Sequence, residues 1–172
     1  FWEKSLNLGD MIESGLHTNY IMAYYATPLM VERQQGLIAN ISFYGAVTYF
    51  HGPAYGAAKA GTDKMSFDMA IDLRDKNVAC ISLWPGFIYS DAVAAFVDAT
   101  PKEHLPPLLA NHLPQFERPE FSALVLNALH DDPQYMDYSG QALIGAELGM
   151  RYGIKDIDGK QPQSCPAFQR DD

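Results

Sequence analysis

Gly36-Leu-Ile-Ala-Asn-Ile-Ser42, then Gly52-Pro-Ala-Tyr-Gly-Ala-Ala-Lys-Ala-Gly61, then Val78-Ala-Cys-Ile-Ser-Leu-Trp84 decide the fold. The first and third runs are short and apolar, and their length suits strands buried on both faces. The alanine-rich run between them predicts a helix from Tyr55 to about Lys76, with Ala58, Met65, Met69 and Leu73 facing inward. Strand, helix, strand with apolar strands implies right-handed parallel pairing and helices on the sheet faces. Ligands of such sheets bind at the carboxyl ends of the strands, and Ser42 and Pro85-Gly86 stand at those ends.

Upstream, Met11, Ile12, Leu16, Tyr20, Met22, Ala23, Ala26, Leu29 and Met30 recur at three and four spacing. They predict one long helix over residues 9 to 34, kinked or weakened at Pro28. Downstream, Pro119-Glu120 opens a helix running to about His130, because proline suits the first turn and a carboxylate suits the positive dipole end. Gln141-Ala-Leu-Ile144 reads as a final short strand. Residues 87 to 117 mix apolar side chains with Pro101, Pro106, Pro107 and Pro114, which predicts short broken helices. Asp156-Ile-Asp158-Gly159 starts like a calcium loop but has no acid at the twelfth position, so it reads as a turn.

Tyr55 and Lys59 lie four residues apart and so share a helix face. An ammonium there is expected to lower the phenol pKa from about 10 toward neutrality, making a proton donor and acceptor for an alkoxide or alcohol. Ser42, thirteen residues before Tyr55, brings a hydroxyl to the end of the first strand.

Together, Asn40-Ile41-Ser42, Gly45, Pro53, Tyr55-x3-Lys59 and Pro85-Gly86-x3-Ser90 resemble the short-chain dehydrogenase/reductase family, over roughly residues 1 to 160. Phe1-Trp2-Glu3, Gly15-Leu16, Leu29-Met30-Val31, Gly36-Leu37-Ile38, Ser82-Leu-Trp-Pro-Gly86 and Arg151-Tyr152-Gly153 resemble one branch of it. The resemblance implies hydride transfer between NAD(P)(H) and a hydrophobic carbonyl or alcohol substrate, and it favours NADP(H). It gives catalytic roles to Ser42, Tyr55 and Lys59, and cofactor contacts to Tyr55, Lys59, Pro85, Gly86 and Ser90. Residues 87 to 117 would be the substrate lid. A homodimer would pair helices 9–34 and 55–76.

Three departures accompany it. The family's Asn-Ile-Ser-Ser-x-x-Gly is one residue shorter here, Asn40-Ile41-Ser42-Phe43-Tyr44-Gly45. Alignment from Gly36 puts Phe43 at the serine position, and alignment from Gly45 and Tyr55 puts Ser42 there. Ser42 is favoured, because a phenyl ring cannot hydrogen-bond a carbonyl. The family's relay asparagine aligns with Gly15, and Asn19 lies one turn on. No glycine-rich strand turn, the usual pyrophosphate cradle, precedes the catalytic segment. The expected fold class is therefore α/β, the carboxyl-terminal part of a Rossmann-type doubly wound parallel sheet without its amino-terminal cofactor-binding βαβ units. Residues 1–160 would form that part of a single domain, and 161–172 a loose polar tail. The competing expectation is a truncated, catalytically silent fragment that retains only helix-mediated association.

Composition narrows the rest. With 48% hydrophobic residues in 172, a single core is attainable. A net charge of −9 and scattered lysines and arginines leave no electrostatic footprint for nucleic acid or anionic lipid. No apolar run is long enough for a membrane span. Cys80 and Cys165 make no disulfide framework, and the five scattered histidines have no zinc-like spacing, so no metal and a reducing, cytoplasmic setting are expected.

Overall fold

The computed structural model describes residues 1–164, in two compact units. Phe1–Trp84 and His130–Leu143 form the first; the second is Pro85–Leu129 with the described residues from Ile144 on.

The first unit is built on α1 (Asp10–Ile12), α2 (Thr18–Arg33), β1 (Gly36–Ile41), α3 (Pro53–Leu73) and β2 (Val78–Trp84). β1 and β2 pair in parallel from Gly36↔Val78 to Ile41↔Leu83. With β3 (Ala142–Ile144) they make a sheet in the order β1-β2-β3. Central β2 is buried from Val78 to Leu83, as its unbroken apolar run requires, whereas β1 alternates. This is the strand, helix, strand unit the sequence predicts.

α3 meets this sheet differently from expectation. Its buried residues are Ala58, Thr62, Ser66, Ala70 and Leu73; Met65 and Met69 are only partly buried. Small side chains at these steps bring the helix backbone close to the strands, and a methionine there would hold it off. The buried hydroxyls are paired: Asn40 Nδ2 donates to Ser66 Oγ at 2.9 Å, and Ser66 Oγ donates to the Thr62 carbonyl at 2.8 Å. Partners for buried polar groups are what make this face affordable in free energy.

The predicted long helix is continuous but not uniform. Between α1 and α2, Glu13–His17 forms a π-helical turn, while Pro28 sits inside an unbroken α2. The irregularity is thus at Gly15, not at Pro28. The freed Gly15 carbonyl accepts from Asn19 Nδ2 at 3.0 Å and from Thr62 Oγ1 at 3.2 Å. Such π turns recur at functional positions.

The second unit holds α4 (Asp91–Ala99), α5 (Pro107–His112), α6 (Pro119–Asp131) and α7 (Gly145–Tyr152). α4 and α5, with short 3-10 turns, are the broken helices predicted for 87–117. Phe121, Val125 and Leu129, one turn apart on α6, are fully buried. Gly149 of α7 lies so close to Phe121 that an added Cβ would stand 2.5 Å from its ring. Asp156–Lys160 is a hydrogen-bonded turn with Gly159 at φ 83°. The expected polar tail lies mostly outside the described residues. Among the described residues no helix is long and apolar enough to cross a membrane.

Candidate active site

Pro53 at the first turn of α3, preceded by Gly52 at φ 95°, starts the helix two residues ahead of Tyr55. Tyr55 and Lys59 follow on one face, both half-buried. Lys59 Nζ donates to the Ile41 carbonyl at 3.0 Å, at the end of β1, and stands 5.7 Å from the centre of the Tyr55 ring. The strand end and the helix start therefore meet through the lysine.

Ser42 comes to the same place but faces inward. It is 1% exposed, its amide donates to the Leu83 carbonyl at 2.8 Å, and its hydroxyl donates to the Lys59 carbonyl at 3.1 Å. Phe43 is the neighbour that turns to Tyr55, with ring centres 6.5 Å apart. Phe50 and His51 complete an aromatic surround, at 5.8 and 5.3 Å from the Tyr55 ring. Gly45 closes it, since a Cβ there would lie 2.7 Å from Tyr55 Cε1. His51 is held at φ 55°, an uncommon conformation for a side chain with a Cβ.

Electrostatics correct one expectation. Burial pushes the Tyr55 phenol above its ordinary value rather than below it. Burial likewise pushes the Lys59 ammonium down, with the charge of Asp63 acting in the opposite direction. A phenolate taken out of water among phenyl rings costs more than an ammonium at this distance returns.

Asp63 escaped the sequence reading. It lies one turn beyond Lys59 and accepts from Ser82 Oγ and, at 3.1 Å, from Trp84 Nε1. Tyr55, Lys59 and Asp63 at i, i+4 and i+8 are the signal that could have found it. In the second unit Ser90 caps α4, its hydroxyl accepting from the Val93 amide at 3.4 Å. Gly86 lies in the turn after β2 and against the buried Glu117 carboxyl, where an added Cβ would stand 3.0 Å from Oε2.

Residues 4–100 match the family model of the short chain dehydrogenases. The chain belongs to that family. Dehydrogenase/reductase SDR family member 1 of Mus musculus is 36% identical over 166 residues, 93% of this chain and 52% of the relative. The Homo sapiens protein of the same name is 35% identical over 174 residues, 95% of this chain and 53% of the relative. The chain thus spans about half the length of the curated relatives it matches. A crystal structure of a short chain dehydrogenase/reductase family oxidoreductase from Burkholderia thailandensis superposes with a TM-score of 0.67 at 21% identity. It covers 82% of this chain and 55% of that one. The shared fold is the short-chain dehydrogenase Rossmann type, of which β1, α3 and β2 are a part.

Proposed function

We propose that this chain carries the acid/base half of an oxidoreductase that moves hydride between NAD(P)(H) and a carbonyl or alcohol. The observation that carries it is Lys59, tied to the end of β1 and standing one turn from Tyr55 at the amino end of α3. In carbonyl reduction the Tyr55 hydroxyl protonates the developing alkoxide; in alcohol oxidation its phenolate removes the proton. The aromatic surround of Phe43, Phe50 and His51 gives Tyr55 apolar neighbours, which suits a hydrophobic substrate.

A nicotinamide cofactor would supply the hydride. The residues here fit one end of it. Lys59 has three N–H donors and spends one on the Ile41 carbonyl, which leaves two for a ribose diol. Family pattern assigns the nicotinamide end to Pro85, Gly86 and Ser90 and the substrate lid to 87–117. The same pattern assigns substrate contact to Ser42, whose hydroxyl would first have to leave the Lys59 carbonyl.

A second reading, association without turnover, is favoured by one face of the first unit. Tyr24, Tyr25 and Leu29 of α2 are 63, 73 and 60% exposed. Beside them is a shallow hollow of about 420 Å³ between α2 and α3, lined by Tyr20, Pro28, Met69 and Leu73. Pairing two such faces would bury them as a homodimer.

The pH dependence of turnover separates the readings. The test fuses this chain behind a glycine-rich nucleotide-binding half taken from a relative. With the Tyr55 pKa held above its ordinary value, alcohol oxidation should rise about tenfold per pH unit up to about pH 9, while carbonyl reduction stays level. Oxidation that levels off well below about pH 9 would identify another base. No turnover in either direction, with the cofactor bound, would favour the silent reading.

A further inference from the structure

Two carboxyl groups are buried among the described residues, Asp156 at 6% and Glu117 at 2% exposure. Asp156 is accounted for, since its oxygens accept from the Arg118 and Ile157 amides at 2.7 Å each. Glu117 pairs with no cation among the described residues. Its carboxyl instead lies against Gly86, and Ser122 Oγ donates to Oε1 at 3.4 Å.

The backbone of Glu117 grips the same segment on both sides. Its amide donates to the Phe87 carbonyl at 2.8 Å, and its carbonyl accepts from the Tyr89 amide at 2.8 Å, around an isolated parallel bridge between Ile88 and Glu117. A Cβ on Gly86 would stand 3.0 Å from Glu117 Oε2, so the carboxyl fits closely against a residue without a side chain. The Phe87 and Phe116 rings stack beside it, centres 5.3 Å apart.

We propose that Glu117 is the positioning residue of the Pro85–Gly86 turn, which it holds at three points so that the turn offers one geometry to a bound nicotinamide. The significance for nicotinamide rests on the function proposed above; the clamp does not. Contact with Gly86 alone would leave the turn free to shift, but a buried side chain flanked by two backbone bonds holds it in place.

The clamp is also sensitive to pH. Burial pushes the Glu117 carboxyl up to about 7 from an ordinary 4.5. The Gly86 amide and Ser122 hydroxyl pull it back, and the Asp156 charge raises it further. Arg118, the neighbouring cation, is turned away over the Tyr89 ring, 4.6 Å from its centre. Because the closed-state pKa is the higher one, the protonated form favours the clamp. Its protection is complete below about 4.5 and is lost as pH rises through about 7.

Amide hydrogen exchange on the 172-residue chain tests this without cofactor, comparing wild type with Glu117→Ala and Glu117→Gln. In Glu117→Ala the Gly86 amide should exchange about tenfold faster or more, and Glu117→Gln, which keeps a carbonyl acceptor, should restore protection. After correction for intrinsic rates, wild-type protection of Gly86 and Tyr89 should fall by up to about 10²-fold from pH 4.5 to 7, and Glu117→Gln should be level. Should Glu117→Ala fail to fold, the pH comparison of wild type with Glu117→Gln decides alone. Equal protection of Gly86 in wild type and Glu117→Ala, or parallel pH profiles for wild type and Glu117→Gln, would overturn the clamp. A Tyr55→Phe protein that keeps its activity would overturn the functional reading and leave the clamp standing.

Discussion

Replacing Tyr55 by phenylalanine is expected to lower kcat by about 10²–10⁴-fold in the fused, cofactor-competent protein. The substitution keeps the ring, and with it the contacts to Phe43, Phe50 and His51 and the fit against Gly45. Only the hydroxyl is lost. Thermal stability and cofactor affinity should therefore change little, because Lys59 keeps its bond to the Ile41 carbonyl. Steady-state rates with quinones, steroids and aliphatic ketones, beside a melting curve, check this. A variant that retains most of its rate would show that the proton comes from elsewhere.

Phe121→Ala should carry the largest stability cost, about 3–5 kcal/mol. The ring is fully buried on α6 and packs against Gly149, where no side chain exists to move into the space it would leave. The surrounding helix backbones must then either collapse or enclose a cavity. Urea unfolding followed by circular dichroism measures the loss. A cost below about 1 kcal/mol would mean that the second unit repacks freely.

Legibility in the sequence followed the type of signal. β1 and β2 were readable because strands buried on both faces must be apolar throughout, and α3 because alanine and a first-turn proline favour a helix. Tyr55 and Lys59 were readable because their spacing is a helical one. The buried face of α3 was half read: Ala58 and Leu73 are buried as expected, but where hydrophobicity favours Met65 and Met69 the close approach to the sheet selects Thr62, Ser66 and Ala70. The π turn at Glu13–His17 leaves no mark in periodicity because it adds a single residue to a turn.

Side-chain direction was the harder part. Ser42 and Phe43 are consecutive in extended backbone, so they face opposite ways, and the inward position went to the small hydroxyl. The sequence offers both registers, and the preference for Ser42 rests on its hydroxyl, which says nothing of the way it points. Likewise the direction of the Tyr55 shift depends on burial by Phe43, Phe50 and His51, which are separated from it in the chain and brought close only by the fold. Glu117, in Phe116-Glu-Arg-Pro119, looks like an ordinary solvated charge. Only its burial, its close fit against Gly86 and its bonds to Phe87 and Tyr89 distinguish it.

A hydride transfer served by Tyr55 and Lys59 can be followed by isotope. The most direct measurement follows deuterium from C4 of labelled NADPH into a ketone, using the fused protein and mass spectrometry of the alcohol formed. One deuterium is expected on the carbinol carbon, delivered to one face, with transfer falling in parallel with kcat in Tyr55→Phe. Alcohol formed without the label, or labelled equally in wild type and Tyr55→Phe, would contradict it.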